Sequence, residues 1–402
     1  MPDSTTPPRI CHLGKFYPPA SGGIETHLRA LATSQARLGA TVRVIVVNHL
    51  DRHGRDVTWK TIASTPTDIA TIEGVEVVRL GRIASVARLD VCPGIAKALR
   101  QAKRDRFDLL HVHNPNPTML LALTALKPPM PIVLTHHADV VKQKYLRHIL
   151  GVFENRVCAS ASLVLSDSPT YIPGSSLLQR HIRKVESLPL GIDLQPYLHP
   201  SAEALAEAER LRRDLPGPLW LGVGRLIYYK GFDVALKALR NVPGTLTIVG
   251  TGPLEKPLRQ QARDLGVEAR VIFRGYTRPD ELVGAYLAST AFWFPSVARS
   301  EGFGLVQVEA MASGCPPINT DIPHSGVSWV SPHERTGLTV PVGDADAFAA
   351  AANRLVADLA LRERLSDAGR QRAIDEFDRT LMAARSLELY RSHVLAPDPR
   401  SV

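Results

Sequence analysis

Two carboxylates, Glu301 and Glu309, bracket the segment SEGFGLVQVEAMASG at positions 300–314. Gly302, Phe303 and Gly304 precede an Ala-, Leu- and Val-rich run that opens at Leu305 and stops at Gly314, the pattern of a loop entering a helix. Glycines just ahead of a helix let a ligand approach free backbone N–H groups, where the helix dipole favours an anion. The interval from Glu301 to Glu309 is slightly over two helical turns, so Glu309 faces the side of the first helical positions. A carboxylate accepts two hydrogen bonds and can hold a vicinal diol. The pair suits a hydroxyl-rich ligand whose phosphate lies at the amides.

A second segment supplies the opposite charge. In Gly222-Val223-Gly224-Arg225-Leu226-Ile227-Tyr228-Tyr229-Lys230-Gly231, a short apolar strand runs into a loop carrying two cations. Arg225 can clamp two phosphate oxygens and Lys230 adds a point charge, enough to neutralise a departing diphosphate without a metal. A solvated loop with two stray cations is the alternative for this segment taken alone. Val249-Gly250-Thr251-Gly252-Pro253 and Phe273-Arg274-Gly275-Tyr276 are two further strand-end loops of the same half, which puts Gly252, Arg274 and Tyr276 within the candidate site.

Thr135-His136-His137-Ala138-Asp139 ends a strand of the first half and offers an imidazole at a loop. His111 and His113 alternate on another strand end and read as structural, with no third metal ligand evident in the sequence. Asp344-Ala345-Asp346 is formally a divalent-cation pair, but it follows Gly343 and opens an Ala-rich helix. It reads as an N-cap and a dipole-stabilising acid. No metal site is expected. Cys11, Cys92, Cys158 and Cys315 lie too far apart for zinc spacing or a disulfide framework and read as reduced, buried thiols.

The elements that must position these groups repeat one rhythm twice. Near-continuous apolar runs at Ile10–Leu13, Val42–Val47, Val75–Leu80, Asp108–His113, Ile132–His136, Leu163–Ser166 and Val185–Leu188 alternate with helical patterns, the first at Glu25–Leu38. Such runs predict parallel strands covered on both faces. Gly191 to Pro218, with one charged helix, reads as the connection. The rhythm restarts at Leu219–Val223, Leu246–Val249, Val271–Phe273, Ala291–Phe294, Pro317–Asn319 and Gly337–Val340, then turns helical to His393. The expected architecture is α/β, with two Rossmann-like, doubly wound parallel-sheet domains. They span 1–195, joined by the C-terminal helix 380–402, and 196–379. A ligand held between the carboxyl ends of both sheets would touch each.

Composition excludes several classes. The 402 residues, 45% hydrophobic and 22% charged, describe a globular chain of about two domains. No apolar run approaches the roughly 18–20 residues of a membrane span. The N-terminus lacks a signal-peptide core, so a cytoplasmic protein is expected. The formal charge of +9 fits an anionic ligand or an anionic membrane surface. Nucleic acid fits poorly, because aromatics are only 6% of the chain and do not interleave with Lys and Arg. Basic stretches at Lys142–Leu150, Lys97–Arg106 and Arg180–Lys184 suit either a peripheral position on the inner face of a cytoplasmic membrane or a solvated helix face.

Gly224-Arg225-x-x-x-x-Lys230-Gly231 followed by Glu301-x7-Glu309 resembles the retaining family-4 glycosyltransferases of the GT-B fold, the group 1 glycosyltransferases. Tyr17-Pro18-Pro19-x-x-Gly22-Gly23-Ile24-Glu25 fits the same family, so the match covers nearly the whole chain. The resemblance implies a metal-independent hexosyltransferase with a nucleotide-diphosphate sugar as co-substrate and no cofactor. By the same resemblance Arg225 and Lys230 bind the donor diphosphate and Glu309 the ribose diol. Glu301 and the Phe303–Gly304 backbone hold the sugar, Gly22 and Gly23 line the cleft, and His137 stands at the donor sugar. Transfer with retention then proceeds by front-face attack, the leaving phosphate helping to deprotonate the acceptor hydroxyl.

Tyr228-Tyr229-Lys230-Gly231, His137-x-Asp139 with Gln143-Lys144, and Ala298-Arg299-Ser300-Glu301 with Gly326-Val327-Ser328-Trp329-Val330 look like bacterial mannosyl- and rhamnosyltransferases of surface-polysaccharide assembly. This narrower likeness implies a GDP-sugar donor and a glycan or polyprenyl-diphosphate-linked glycan acceptor. A UDP-sugar donor is the alternative, and a sugar-nucleotide epimerase of similar two-domain shape is the nearest rival enzyme. A dinucleotide oxidoreductase is disfavoured, since no strand leads into Gly-x-Gly-x-x-Gly with an acidic residue about 20 positions on.

Overall fold

The strand Leu109–Asn114 is buried at every residue, as are Ile132–His136, Leu163–Ser166, Leu219–Val223, Thr245–Val249 and Ala291–Phe294. Strands buried on both faces carry no charged side chain, which is why these runs read as near-continuous in the sequence, and the polar residues they hold, such as His111, His113, Thr245 and Thr247, are themselves buried. The computed structural model describes residues 7–20, 22–49, 60–86, 89–128, 130–139 and 144–395. It divides into two compact units, the described residues of Met1–Gly191 with Arg379–Val402, and Ile192–Asp378.

In the first unit an eight-stranded sheet runs in the order Val185–Ser187, Leu163–Ser166, Ile132–His136, Leu109–Asn114, Arg9–Leu13, Thr41–Val47, Val75–Leu80, Asp68–Ile72. All neighbours are parallel except the last pair. The antiparallel edge strand Asp68–Ile72 and a separate small sheet of Lys60–Thr61, Ala84–Val86 and Leu89–Val91 carry mostly polar or exposed residues. Their sequences lack the apolar run that marks a central strand. The helix Gly23–Arg37 packs on the sheet and against the C-terminal helix Arg379–Tyr390, whose Met382, Leu387 and Tyr390 join the core of Ile10, Leu28, Leu31 and Val44.

The second unit holds a six-stranded, wholly parallel sheet ordered Val271–Gly275, Thr245–Val249, Leu219–Val223, Ala291–Phe294, Pro317–Thr320, Leu338–Val340. Strand order reverses between Leu219–Val223 and Ala291–Phe294, and at such a switch point the two strand-end loops diverge to leave a crevice. Trp220 and Trp293 stack across these two strands, 5.2 Å between ring centroids, and anchor the sheet below the crevice. The stretch expected to be a connection instead builds this unit. Its helix Ala202–Asp214 packs on Pro279–Ala288 so closely that a Cβ on Gly284 would lie 2.7 Å from the Ala204 carbonyl. Most of its charged residues are exposed while Ala204, Ala208 and Leu211 are buried, a helical stripe hidden among Glu and Arg.

No described helix is long and apolar enough to cross a membrane. Of the basic stretch Lys142–Leu150, residues 142 and 143 and the side chains of 144–149 lie outside the described residues. All four cysteines are free and buried, and burial pushes the Cys11 thiol up to about 12.

Candidate active site and a buried histidine cluster

The loops after Leu219–Val223 and Ala291–Phe294, on either side of the switch point, carry the charged groups of the second unit. Gly224 has φ 151°, and a Cβ there would meet the Lys230 Cε at 3.0 Å, so glycine makes room for the lysine stem to fold back over the strand end. Lys230 Nζ reaches Glu301 Oε2 at 2.6 Å, with both side chains about nine-tenths buried. Ser296 Oγ donates to the same carboxylate oxygen at 3.2 Å. Lys230 Nζ also lies 5.0 Å from the Phe294 ring centroid, a cation–π contact in a largely desolvated place. Arg225 is exposed, and no described residue pairs with its guanidinium.

Beyond Glu301 the backbone turns through Gly304 at φ 81°, where a Cβ would lie 2.7 Å from Phe294 Cζ. Gly304 caps the helix Leu305–Ala312 without a side-chain hydrogen bond, leaving first-turn amides available to an anion. The Phe303 ring is buried against Phe377 at 5.7 Å, so only its backbone can serve a ligand. About one turn along the helix, Glu309 accepts from the Tyr286 hydroxyl at 2.9 Å and from the Tyr197 hydroxyl. Burial pushes the Glu309 carboxyl up to about 7, against the two tyrosine hydroxyls and the Lys230 charge, which pull it down.

Lys230, Glu301, Gly224, Gly302, Gly304, Leu305 and Glu309 thus lie on the loops and helix around one crevice. Gly252 belongs to the adjoining loop, where a Cβ would come 2.5 Å from the Leu226 carbonyl, and Leu226 N donates to Thr251 O at 3.0 Å. The Arg274 guanidinium is committed elsewhere, to Glu207 Oε1 at 2.6 Å, and Tyr276 is 83% exposed. Tyr197 and Tyr286 escaped sequence reasoning, since neither lies in a glycine loop. A tyrosine in an otherwise apolar helix, such as Tyr286 in PDELVGAYLA, is the one signal that a buried hydroxyl needs a partner.

Asp344 accepts from Ala347 N at 2.9 Å and caps the helix Ala345–Ala357, while Asp346 Oδ1 accepts from Asn241 Nδ2 at 3.3 Å. Asp344→Ala should therefore lower the stability of the protein by about 1 kcal/mol. Excess chelator should leave activity largely intact. A chelator-dependent loss restored by magnesium or manganese would overturn the capping role.

In the first unit Gly22 and Gly23 open the helix Gly23–Arg37, and Gly22 leaves space for the Glu25 carboxylate to fold back over the turn. His137 follows the strand Ile132–His136, its Nδ1 lying 3.0 Å from both oxygens of Asp167. Asp139 belongs to His136 instead, Oδ1 to Nε2 at 2.9 Å. His137 Nε2 faces His113 Nδ1 at 3.3 Å, and His113 Nε2 faces His12 Nδ1 at 3.1 Å. The sequence shows no third ligand beside His111 and His113, but the fold brings further imidazoles to them. His12 and His27 come from about a hundred residues upstream, because Arg9–Leu13 pairs with Leu109–Asn114 and the helix Gly23–Arg37 covers both. Burial holds the His12 imidazole down at about 4, and those of His27, His111 and His113 well below the ordinary value. The same unit holds a cavity of about 500 Å³ at the strand ends, lined in part by Phe16, Tyr17, Asn48, His49, Asp68 and Arg79.

Residues 206–372 match the family "Glycosyl transferases group 1", and residues 21–195 match "Glycosyltransferase Family 4". The chain is 30% identical over 344 residues to the D-rhamnosyltransferase WbpZ of Pseudomonas aeruginosa, covering 85% of this chain and 84% of that protein. It is 27% identical over 385 residues to the O-antigen chain mannosyltransferase C of Escherichia coli, covering 95% and 98%. Among solved structures, Anabaena Alr3699/HepE in complex with UDP superposes with a TM-score of 0.73 at 21% identity, covering 96% of this chain and 100% of that one.

Proposed function

The chain belongs to the family-4, group 1 glycosyltransferases, a retaining and metal-independent family of GT-B fold, and from that premise we propose that it moves mannose or a related hexose from a GDP-sugar to a glycan or polyprenyl-diphosphate-linked glycan in surface-polysaccharide assembly. The observation that carries this reading is the Lys230–Glu301 pair beside the uncapped amides of Leu305–Ala312. A diphosphate at those amides would draw Lys230 toward itself, and Arg225 would close on it from solvent. Glu301, released from the lysine, would then be free to accept from sugar hydroxyls. Glu309 holds the ribose diol. Gly252, Gly302 and Gly304 let the ligand approach the backbone. Arg274 serves the donor only through the position of its strand end, since its side chain is paired with Glu207.

No second carboxylate is needed as a nucleophile if the departing phosphate itself takes the acceptor proton, with Lys230 and Arg225 stabilising the charge that develops. His137, oriented by Asp167, contacts the donor sugar. The cavity at Tyr17, Asn48 and Arg79 suits a hydroxylated acceptor, and the excess of cations suits an enzyme working at the inner face of a cytoplasmic membrane.

Because a ligand that binds only the native state stabilises it by about 2.7 kcal/mol at a hundred times its Kd, a thermal-shift panel of GDP- and UDP-sugars tests the donor. GDP-mannose should raise the Tm most. A larger shift with a UDP-sugar would overturn the base assignment and favour the UDP reading, which the UDP-bound Anabaena structure motivates. Free nucleoside diphosphate should appear only when acceptor is added. Conversion of the donor to a different nucleotide-sugar, with no free nucleoside diphosphate formed, would count against transfer and for an epimerase.

A further inference from the structure

With every imidazole neutral, as metal ligation requires, the hydrogen bonds of the histidine cluster fix where its protons lie. Ser386 Oγ donates to Ala383 O at 2.6 Å, so it can only accept from Gln35, which sets the Gln35 Nε2 toward Ser386 and its Oε1 toward His12. His12 must then donate from Nε2 to Gln35 Oε1 at 2.7 Å, leaving Nδ1 as an acceptor. His113 donates from Nε2 to that nitrogen, leaving its own Nδ1 as a lone pair. From the other end, Asp167 accepts the proton on His137 Nδ1, leaving His137 Nε2 as a lone pair. The two chains therefore meet at 3.3 Å with a lone pair on each side.

His27 closes the third side. Its ring lies 5.5 Å from that of His113 and 5.0 Å from that of His137, edge-on to both, and neither of its nitrogens has a hydrogen-bond partner among the described residues although the residue is 99% buried. One nitrogen from each of His27, His113 and His137 falls within 4.8 Å of the others. A tetrahedral zinc ion with Zn–N bonds of about 2.0–2.1 Å spaces its nitrogens about 3.3–3.4 Å apart, the separation His113 and His137 already have. Asp167 behind His137 is the carboxylate that commonly orients a ligating histidine. The neighbouring trio His12, His111 and His113 does not compete, because His111 is spent on Thr135 and Tyr390 at 2.7 Å each and His12 on Gln35.

The geometry points to a binding site for a zinc-class divalent ion formed by His27, His113 and His137, with the fourth ligand supplied from outside the chain and Asp167 as the outer support. The ion is not a catalytic cofactor. It occupies the nitrogen that His137 would offer a donor sugar, so zinc competes with transfer. That last consequence rests on the role proposed for His137; the binding does not.

The test uses the full chain, stripped with chelator and dialysed against Zn²⁺ or Co²⁺ in separate samples. The wild type should retain one ion per chain, gain Tm with Zn²⁺, and give the intense visible absorption of tetrahedral cobalt. His27→Leu removes a ring whose nitrogens have no partner, so the metal-free variant should fold with an unchanged or higher Tm. Its zinc affinity should fall by roughly a hundredfold or more, and Asp167→Asn should weaken binding by about 10–100-fold. His333→Ala, at an exposed histidine that accepts from Thr339 N, should leave zinc affinity and the cobalt spectrum unchanged. Failure of the wild type to retain metal, an octahedral cobalt spectrum, or retention unaffected by His27→Leu would each overturn the site. The wild-type cobalt spectrum decides even if His27→Leu does not fold. Donor binding to the stripped protein is read separately by thermal shift, so loss of the metal site and loss of the glycosyltransferase reading give different results.

Discussion

Lys230→Ala is expected to lower turnover at saturating donor by about tenfold or more, a loss of roughly 1.4 kcal/mol or above in transition-state stabilisation. The cation sits 2.6 Å from Glu301 in a place that admits little water. There its field on a departing diphosphate is screened far less than at the surface. The same burial makes the variant ambiguous unless stability is measured beside it. Removing one partner of a buried pair leaves the other uncompensated and commonly costs about 3–5 kcal/mol. The double change Lys230→Ala with Glu301→Gln relieves that orphaned carboxylate and should recover much of the lost Tm. Turnover should not recover with it. Unchanged turnover of Lys230→Ala at saturating donor would remove the lysine from the chemistry. Arg225→Ala should act mainly on donor affinity, because an exposed cation with no partner among the described residues contributes to encounter and binding more than to a desolvated transition state.

What the sequence discloses here follows burial. Strands hidden on both faces leave runs without a charged residue, so Leu109–Asn114 and Ala291–Phe294 are legible to within a residue or two. The edge strand Asp68–Ile72 and the small sheet around Ala84–Val91 are not, because half-exposed strands carry polar residues and no run. The site shows the same division. Gly224, Lys230, Gly304 and Glu301 are readable because close backbone approach and charge restrict residue type. The tyrosines that hold Glu309 are barely legible, since Tyr197 lies in a stretch that resembles a linker and Tyr286 in a helix that resembles core. Contacts across long chain separations are lost altogether: nothing in the spacing of His12, His27, His113 and His137 says that a parallel sheet brings them together.

The second large effect concerns Glu309 and its opposite consequences for stability and for donor binding. Its carboxyl is raised from the ordinary 4.5 to about 7, with burial the leading cause. The folded protein therefore holds a proton between these values that the unfolded chain does not. The stabilisation linked to that proton is fully present below pH 4.5 and is lost as pH rises through about 7, each tenfold difference in proton affinity between folded and unfolded chain being worth about 1.4 kcal/mol. A ribose diol donates its hydroxyl protons and needs the carboxylate. Donor affinity should accordingly rise between pH 6 and pH 8 while the stability of the unliganded protein falls, with binding releasing a proton in the lower half of that window. Glu309→Gln keeps the shape but cannot ionise. Its donor affinity at pH 8 should drop by roughly tenfold to a hundredfold, the worth of hydrogen bonds to a charged group at about 1.5–3 kcal/mol. Both pH dependences should flatten in the variant. Calorimetric titration with GDP-mannose at pH 6, 7 and 8, in two buffers of different ionisation enthalpy, reads affinity and proton release together. A wild-type affinity independent of pH, or a Glu309→Gln profile parallel to the wild type, would mean that the diol is held elsewhere and that Glu309 serves only to anchor Tyr286 and Tyr197.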